Sequence, residues 1–417
     1  MKKVRRLLAL LMAVSIAVVS AGCSKEITAE DLMVNIEENN ASELDLDDAF
    51  CEKYSVAAFK MLKNEYSDDS AKIVLSPLAA YYNSFMLMNG ATGQTKEKLE
   101  NLFGRRYFSQ NMNPIMHSIY RNLKDTDKSK LYFENALWFN SDKNIAPASE
   151  FLSVAKNYYN ADAYKESFSK DAVTNINNWA SNKTNMYSER IIKEIPKDAP
   201  FYMVNTTLLE ADWEAPIRSA DIFDGKFKSL SGDEQDVQMM SSYEKTYIGN
   251  ESVVGFMKSY AGGNYAFLAL LPVNESRSSL TELVDYLSRE RVYRELIKGR
   301  KDWRVVDASI PKFSCSYTGE INSLIEKAEL GQIFSSENAG FDNVGTCDGK
   351  IYLGGIAVST GLTVTESGTK KGTGANVGNT DAGVDMIPIN LNRPFVFAVV
   401  ETKRYLPVMV GAVNSVK

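Results

Sequence analysis

The sequence holds a single imidazole, His117, and that limits the hydrolytic chemistry it could carry. A Ser-His-Asp triad would have to use this ring, yet His117 lies in the apolar, helix-like stretch Ile115-Met116-His117-Ser118-Ile119, and no Gly-x-Ser-x-Gly elbow occurs anywhere. A zinc site of the His-Glu-x-x-His type needs two imidazoles and is excluded outright. Cys51, Cys315 and Cys347 have no C-x-x-C spacing, so neither a zinc cage nor a disulfide framework is indicated, and they are read as buried thiols. The chain is therefore not read as an enzyme, and no cofactor or metal is expected.

The other segment with chemical promise runs from Glu366 to Pro394. It carries Gly368, Gly372, Gly374, Gly378 and Gly383 and little bulky apolar content before Val384. A loop of that length inside a compact domain is uncommon and usually functional or disordered. By its own composition the segment fits a flexible surface loop as well as a functional one.

Composition bounds the partners. The 417 residues are 44 % hydrophobic and 24 % charged, as in folded globular proteins, with a formal charge of −6. Lys2 to Arg6 form a basic n-region and Leu7 to Val19 an apolar run too short to span a bilayer, so 1–22 reads as a secretory signal. It ends in Ser20-Ala21-Gly22-Cys23, which resembles a bacterial lipoprotein cleavage box and makes Cys23 the expected lipid carrier. Extracellular, cell-surface placement by lipid anchor follows as an expectation, with no other membrane contact. Without the signal, 43 basic residues face 53 acidic ones, a balance that argues against nucleic acid. Arg121, Lys124, Lys128 and Lys130 are interrupted by Asp125 and Asp127 and read as a solvated charge run. Between Ser24 and Asp48 nine acids face Lys25 alone, so 23–48 is expected to be a solvated, flexible tether.

From Ala49 onward the chain shows no linker and no repeat, and 49–417 is taken as one domain. Thr95 is expected to cap a helix carrying Leu99, Leu102 and Phe103. Tyr132 to Phe139, Phe201 to Leu209, Tyr265 to Leu271 and Ile356 to Thr365 read as strands, mostly too apolar for an exposed sheet. Phe395 to Val400 and Val408 to Val413 flank a polar turn as a core hairpin. Early helices and later strands indicate an α+β fold.

A series of motifs runs along the chain: Leu75-Ser76-Pro77-Leu78 with Asn89-Gly90-Ala91-Thr92-Gly93, Ile176-Asn177-Asn178-Trp179, Met203-Val204-Asn205-Thr206-Thr207 with Asp212-Trp213-Glu214, and Gln238-Met239-Met240. Leu271-Pro272, Ile310-Pro311-Lys312-Phe313, Glu366-Ser367-Gly368-Thr369, Arg393-Pro394-Phe395-Val396-Phe397 and Val410-Gly411-Ala412-Val413 follow. In this order and over this length the set resembles serpins. The resemblance implies a large, mainly antiparallel central sheet with further sheets, about eight or nine helices, and a reactive loop over about 366–392. It also implies a monomeric suicide inhibitor that traps a serine protease covalently by inserting the cleaved loop into that sheet. The alternative it allows is a non-inhibitory binding protein or substrate.

By the same resemblance Glu366, Gly368, Thr369 and Lys371 form the hinge, and the inward set on insertion is Thr369, Lys371, Thr373, Ala375 and Val377. Lys371 departs from the alanine the family prefers, and an ammonium buried without a partner costs several kcal/mol. Glu366 and Lys312 are expected to make a partly buried ion pair under Trp213. Ser76 and Asn205 keep half of a hydrogen-bonded latch, with Ala79 and Val358 in the other two places. Counting from the hinge puts the reactive bond at Ala382-Gly383, which suits elastase-like or subtilisin-like serine proteases, papain-like cysteine proteases being the alternative. A target protease is expected to release a C-terminal fragment starting at Gly383 by mass spectrometry. A fragment starting at Asp385 or Ile387 moves the site, and efficient inhibition of trypsin through this loop overturns the specificity argument.

Overall fold

The computed structural model describes residues 24–103, 112–123, 125–188, 190–276, 278–322, 330–369 and 386–417. Alternation of large apolar side chains on both faces of a strand requires cover on both sides, and Ser129–Asn140 shows how it is met. Leu131, Phe133, Leu137 and Phe139 enter the main core, while Ala136 and Trp138 join a smaller core with Ala172, Ile176 and Trp179. Those last three come from the helix Lys170–Lys183, whose N-cap Ser169 accepts a hydrogen bond from the Asp171 amide.

The main sheet has seven strands, in the order Glu30–Asp31, Ala161–Glu166, Ser129–Asn140, Phe201–Asp212, Leu353–Val364, Phe313–Glu320, with Gly368–Thr369 paired off the path to Phe201–Asp212. It mixes parallel and antiparallel pairs: Phe201–Asp212 is antiparallel to Ser129–Asn140 and parallel to Leu353–Val364. A six-stranded sheet contains the expected C-terminal hairpin, Phe395–Glu401 against Pro407–Val413, flanked by Tyr265–Pro272 and Lys72–Leu75. A four-stranded sheet runs Ile387–Asn390, Val306–Pro311, Glu234–Glu244, Ile222–Lys228. With eight α-helices among the described residues, the α+β reading with a large central sheet stands.

Three expectations are corrected. Thr95 does not cap its helix, which begins earlier and spans Gly93–Phe103; the buried Thr95 hydroxyl instead accepts a hydrogen bond from the Gly340 amide at 3.0 Å. The stretch from Glu366 to Pro394 is not all loop, because Ile387–Asn390 pairs in parallel with Val306–Ser309. Pro388 is tolerated there since the strand lies at a sheet edge.

The third correction concerns the acidic segment, which is docked along the body rather than solvated. Glu30 and Asp31 pair with Lys165 and Tyr164 and extend the main sheet by a strand. Met33 is 8 % exposed within the main core, and the Lys156 ammonium donates to the Met33 and Ile36 carbonyls at 3.2 and 2.6 Å. Charge density led to the wrong expectation because backbone pairing and one apolar anchor suffice to hold a polar segment whose acids point outward. Met33→Asp is expected to release it, seen as new proteolytic cuts between Met33 and Asp48 and a loss of stability on the order of 2 kcal/mol.

Candidate functional site

Two parallel strands set the geometry. Phe201–Asp212 and Leu353–Val364 pair from Leu353↔Phe201 to Gly361↔Leu208 and no further. Past that level Leu353–Val364 turns back on itself: the Thr365 amide donates to the Gly368 carbonyl at 2.9 Å and the Gly368 amide to the Thr365 carbonyl at 3.3 Å, with Glu366 and Ser367 at the tip. Gly368 and Thr369 then pair antiparallel with Asp212 and Ala211. The first residues of the proposed reactive segment are thus already a strand of the main sheet.

Glycine is required at the entry. Gly368 has φ near +143°, and a Cβ there would lie 2.0 Å from the Ala211 carbonyl oxygen. Thr369 is 1 % exposed, and its hydroxyl shares a hydrogen bond of 2.6 Å with that of Tyr260. Trp213 stacks on Tyr260 with centroids 4.4 Å apart. Its indole Nε1–H donates to the Thr365 carbonyl and its backbone amide to the Ser367 carbonyl, both at 2.8 Å. Trp213 therefore clasps the turn from both ends.

The structure brings Lys312 and Glu366 together. Nζ and Oε2 lie 2.9 Å apart, with the side chains 24 % and 22 % exposed. Partial burial raises the Glu366 carboxyl, but the Lys312 hydrogen bond, a backbone amide and the Lys312 charge outweigh it and leave the group below the ordinary carboxylate value. The pair's contribution is present above the unfolded carboxylate range and lost as pH falls through the depressed folded value. The cation against the Trp213 ring is a different one, Lys258, at 5.2 Å. Lys258 is 2 % exposed and donates to Glu244 Oε1 and Ser242 Oγ at 2.8 Å each and to the Ala215 carbonyl at 3.2 Å. Sequence reasoning missed both Lys258 and Tyr260. Their one sequence signal is position, at and just beyond the end of the strand Val253–Ser259.

The latch is not assembled as expected. Ser76 caps the helix Pro77–Gly90 by accepting from the Ala79 amide, and its hydroxyl donates to the Val408 carbonyl at 3.3 Å. Asn205 turns to the neighbouring strand, donating to Asn135 Oδ1 at 2.8 Å and accepting from the Thr207 hydroxyl at 3.0 Å. With Ala79 and Val358 both buried in the main core, apolar contact occupies the remaining latch positions. Cys23, Lys124, Lys371, Ala382 and Gly383 lie outside the described residues. His117 packs edge-on against Tyr158 at 6.1 Å, and burial pushes its pKa down.

The fold is thus an α+β fold around a large mixed sheet, of which Gly368–Thr369 is itself a strand, paired with the end of Phe201–Asp212. The chain belongs to the serpin family: the family model "Serpin (serine protease inhibitor)" matches residues 51–416. Members of this family are usually protease inhibitors. Among curated relatives, rat (Rattus norvegicus) alpha-1-antiproteinase is 25 % identical over 363 residues, covering 84 % of each chain. The thermophilic serpin tengpin in its native state superimposes with a TM-score of 0.87 at 32 % identity, covering 93 % of this chain and 99 % of tengpin. Against tengpin in its latent state the TM-score is 0.78 at 30 % identity, over 90 % of this chain and all of that one. Human thyroxine-binding globulin, complexed with thyroxine, shares the fold at TM-score 0.76 and 20 % identity, over 88 % of this chain and 99 % of its own.

Removing one partner of a partly buried pair strands a charge, at about 3 to 5 kcal/mol when burial is complete and less here. Glu366→Lys should therefore lower the melting temperature and promote polymers through intermolecular strand addition. A variant that stays monomeric by light scattering after mild heating would contradict the assigned role of the pair.

Proposed function

We propose that this serpin is a suicide-substrate inhibitor of serine proteases with shallow apolar pockets, of elastase or subtilisin type. The observation that carries this reading is Gly368–Thr369 paired with Asp212 and Ala211, with Thr369 buried. Strand addition satisfies backbone groups of sheet and segment together. In the proposed cycle the protease's serine oxygen attacks the Ala382 carbonyl, the Gly383 amine leaves with the transferred proton, and Ala382 remains esterified to the enzyme. Continuing the observed register then carries the segment, and the esterified protease with it, along Phe201–Asp212. The same register would set Lys371 opposite Leu209, Thr373 opposite Thr207, Ala375 opposite Asn205 and Val377 opposite Met203, side chains of the buried face.

The chain is further proposed to act outside the cell, processed after residue 22 and held to a bacterial membrane by lipid on Cys23. The sequence Ser20-Ala21-Gly22-Cys23 after a short apolar run supports that placement. One observation favours a second reading. Lys371 opposite buried Leu209 would oppose insertion unless its ammonium reaches solvent, and a chain that inserts slowly would serve as substrate or binding protein.

Incubation of the processed chain with a panel of serine and cysteine proteases separates the two readings on a denaturing gel. An inhibitor gives a covalent band, a substrate only the clipped form. Thr369→Arg cannot keep the Tyr260 contact and should convert complex into clipped product, while Lys371→Ala should raise the share of complex. An unchanged ratio in both variants would favour the non-inhibitory reading.

A further inference from the structure

We propose that the turn Lys301–Arg304 is a docking edge for an anionic lipid surface, with the Trp303 ring entering the headgroup layer and the lysines around it meeting the lipid charges. The edge lies apart from the Glu366 hinge and acts independently of the inhibitory reading.

Charge marks the place. The chain carries a formal charge of −6, yet the stretch from Arg289 to Arg304 holds seven basic residues against three acidic ones. Exposure marks it again. Of the four tryptophans, Trp138, Trp179 and Trp213 are buried, whereas Trp303 is 74 % exposed. A single exposed apolar side chain is ordinary on a protein surface, but an exposed indole within a basic stretch of an acidic chain is a specific combination. Tryptophan is favoured at the boundary between membrane and water, and lysine and arginine are drawn to anionic headgroups.

The turn is also held rigidly outward. Lys301 pairs with Tyr247, its amide donating at 2.8 Å and its carbonyl accepting at 3.1 Å, and the Arg304 amide donates to the Lys301 carbonyl at 3.2 Å. Asp302, the acid beside Trp303, is already met: Arg300 Nε lies 3.1 Å from its carboxylate and the Thr246 hydroxyl donates to it at 3.0 Å. Lys298, at the end of the helix Val292–Lys298, and Lys301 are exposed, and neither meets a carboxylate among the described residues. Lys245, exposed beside Thr246, adds a third cation. Met386, 41 % exposed, adds apolar surface from the neighbouring segment, where the Ile387 amide donates to the Val305 carbonyl at 3.0 Å. The nearby rings of Tyr405 and Tyr247 are covered by Arg300 and Lys301, at 4.5 and 5.7 Å, so the turn presents one indole and not a row of rings. Single-stranded nucleic acid is gripped by stacking successive bases on aromatic side chains. A protruding indole ringed by lysines fits a deformable anionic layer better.

The test mixes the processed chain, prepared without lipid, with vesicles of phosphatidylcholine alone or with about one third phosphatidylglycerol, and follows co-sedimentation and tryptophan emission. Binding is expected to the anionic vesicles only, to weaken as salt shortens the electrostatic range, and to bring a blue shift and protection from acrylamide, since Trp303 is the exposed indole. Trp303→Ala should lower the partition coefficient on the order of tenfold and remove the shift, and Lys298→Gln with Lys301→Gln should lower it on the order of tenfold. Lys96→Gln with Lys98→Gln, exposed on the helix Gly93–Phe103, should bind as the wild type does, and unchanged melting temperatures check that each variant is folded. No binding to anionic vesicles, equal binding to neutral ones, or equal losses from the Lys96 and Lys98 changes would overturn the proposal. Retention of an oligonucleotide or of polyglutamate without vesicle binding would overturn it in favour of a different polyanion.

Discussion

Backbone hydrogen bonding between Phe201–Asp212 and Leu353–Val364 ends at Gly361↔Leu208, and the strand segment above that level still needs backbone partners on that side. An unpaired, buried peptide group is costly, so the sheet cannot leave the gap empty. Leu353–Val364 resolves this by reversing within two residues and sending Gly368 and Thr369 back beside Asp212 and Ala211. The reversal dictates Gly368, since its φ and the 2.0 Å approach to the Ala211 carbonyl oxygen leave no room for a side chain. It also favours a small, half-polar residue at 369, whose buried hydroxyl meets that of Tyr260.

Trp213 makes that arrangement rigid. It belongs to the chain just past Phe201–Asp212, yet it bonds the backbone on both sides of the Glu366 turn and stacks on Tyr260 from beyond the six-stranded sheet's Val253–Ser259. Behind it Lys258 bridges to Ser242 and Glu244 of the four-stranded sheet. All three major sheets therefore converge on one indole ring. A buried ammonium is tolerable only when paired and hydrogen-bonded, and Lys258 has the Glu244 carboxylate, a hydroxyl and a carbonyl. The convergence places an energetic junction at the point where a new strand would enter.

How far this was legible from sequence differs by feature. Apolar runs such as Phe201 to Leu209 and the Phe395 to Val413 hairpin are stated by their own composition, because a strand covered on both faces has no polar side to disguise it. The Glu366–Lys312 pair was legible through resemblance, as were Gly368 and Thr369. Lys258 was not, because nothing in a lysine at a strand end tells that two sheets will close over it. The docking of Glu30 to Asp47 was hidden for the converse reason: its polar anchors are main-chain pairing at Glu30 and Asp31 and the Met33 and Ile36 carbonyls, which accept hydrogen bonds from Lys156, and composition is blind to these. Ser76 and Asn205 are present as the family motif requires, yet Ser76 bonds Ala79 and Val408 and Asn205 bonds Asn135 and Thr207, and a motif does not encode which partner wins.

The polar content of the seam between the two central strands bears on why such a sheet would open there rather than elsewhere. Thr206 and Thr360 are buried on neighbouring strands, and neither hydroxyl makes a hydrogen bond within the described residues. Each such group costs about 1 to 3 kcal/mol relative to a satisfied one. The Ser359 hydroxyl, beside Thr206, shares a hydrogen bond of 2.8 Å with that of Ser188. The two pairs Ser359↔Thr206 and Thr360↔Thr207 make this the most hydroxyl-rich stretch of the seam. Parting the strands at these pairs forfeits less than parting an aliphatic seam, because unsatisfied hydroxyls gain partners when backbone or water comes between them. Under the proposed insertion the same few residues would weaken the closed sheet relative to an opened one, and they lie directly below the level at which Leu353–Val364 has already let go of Phe201–Asp212.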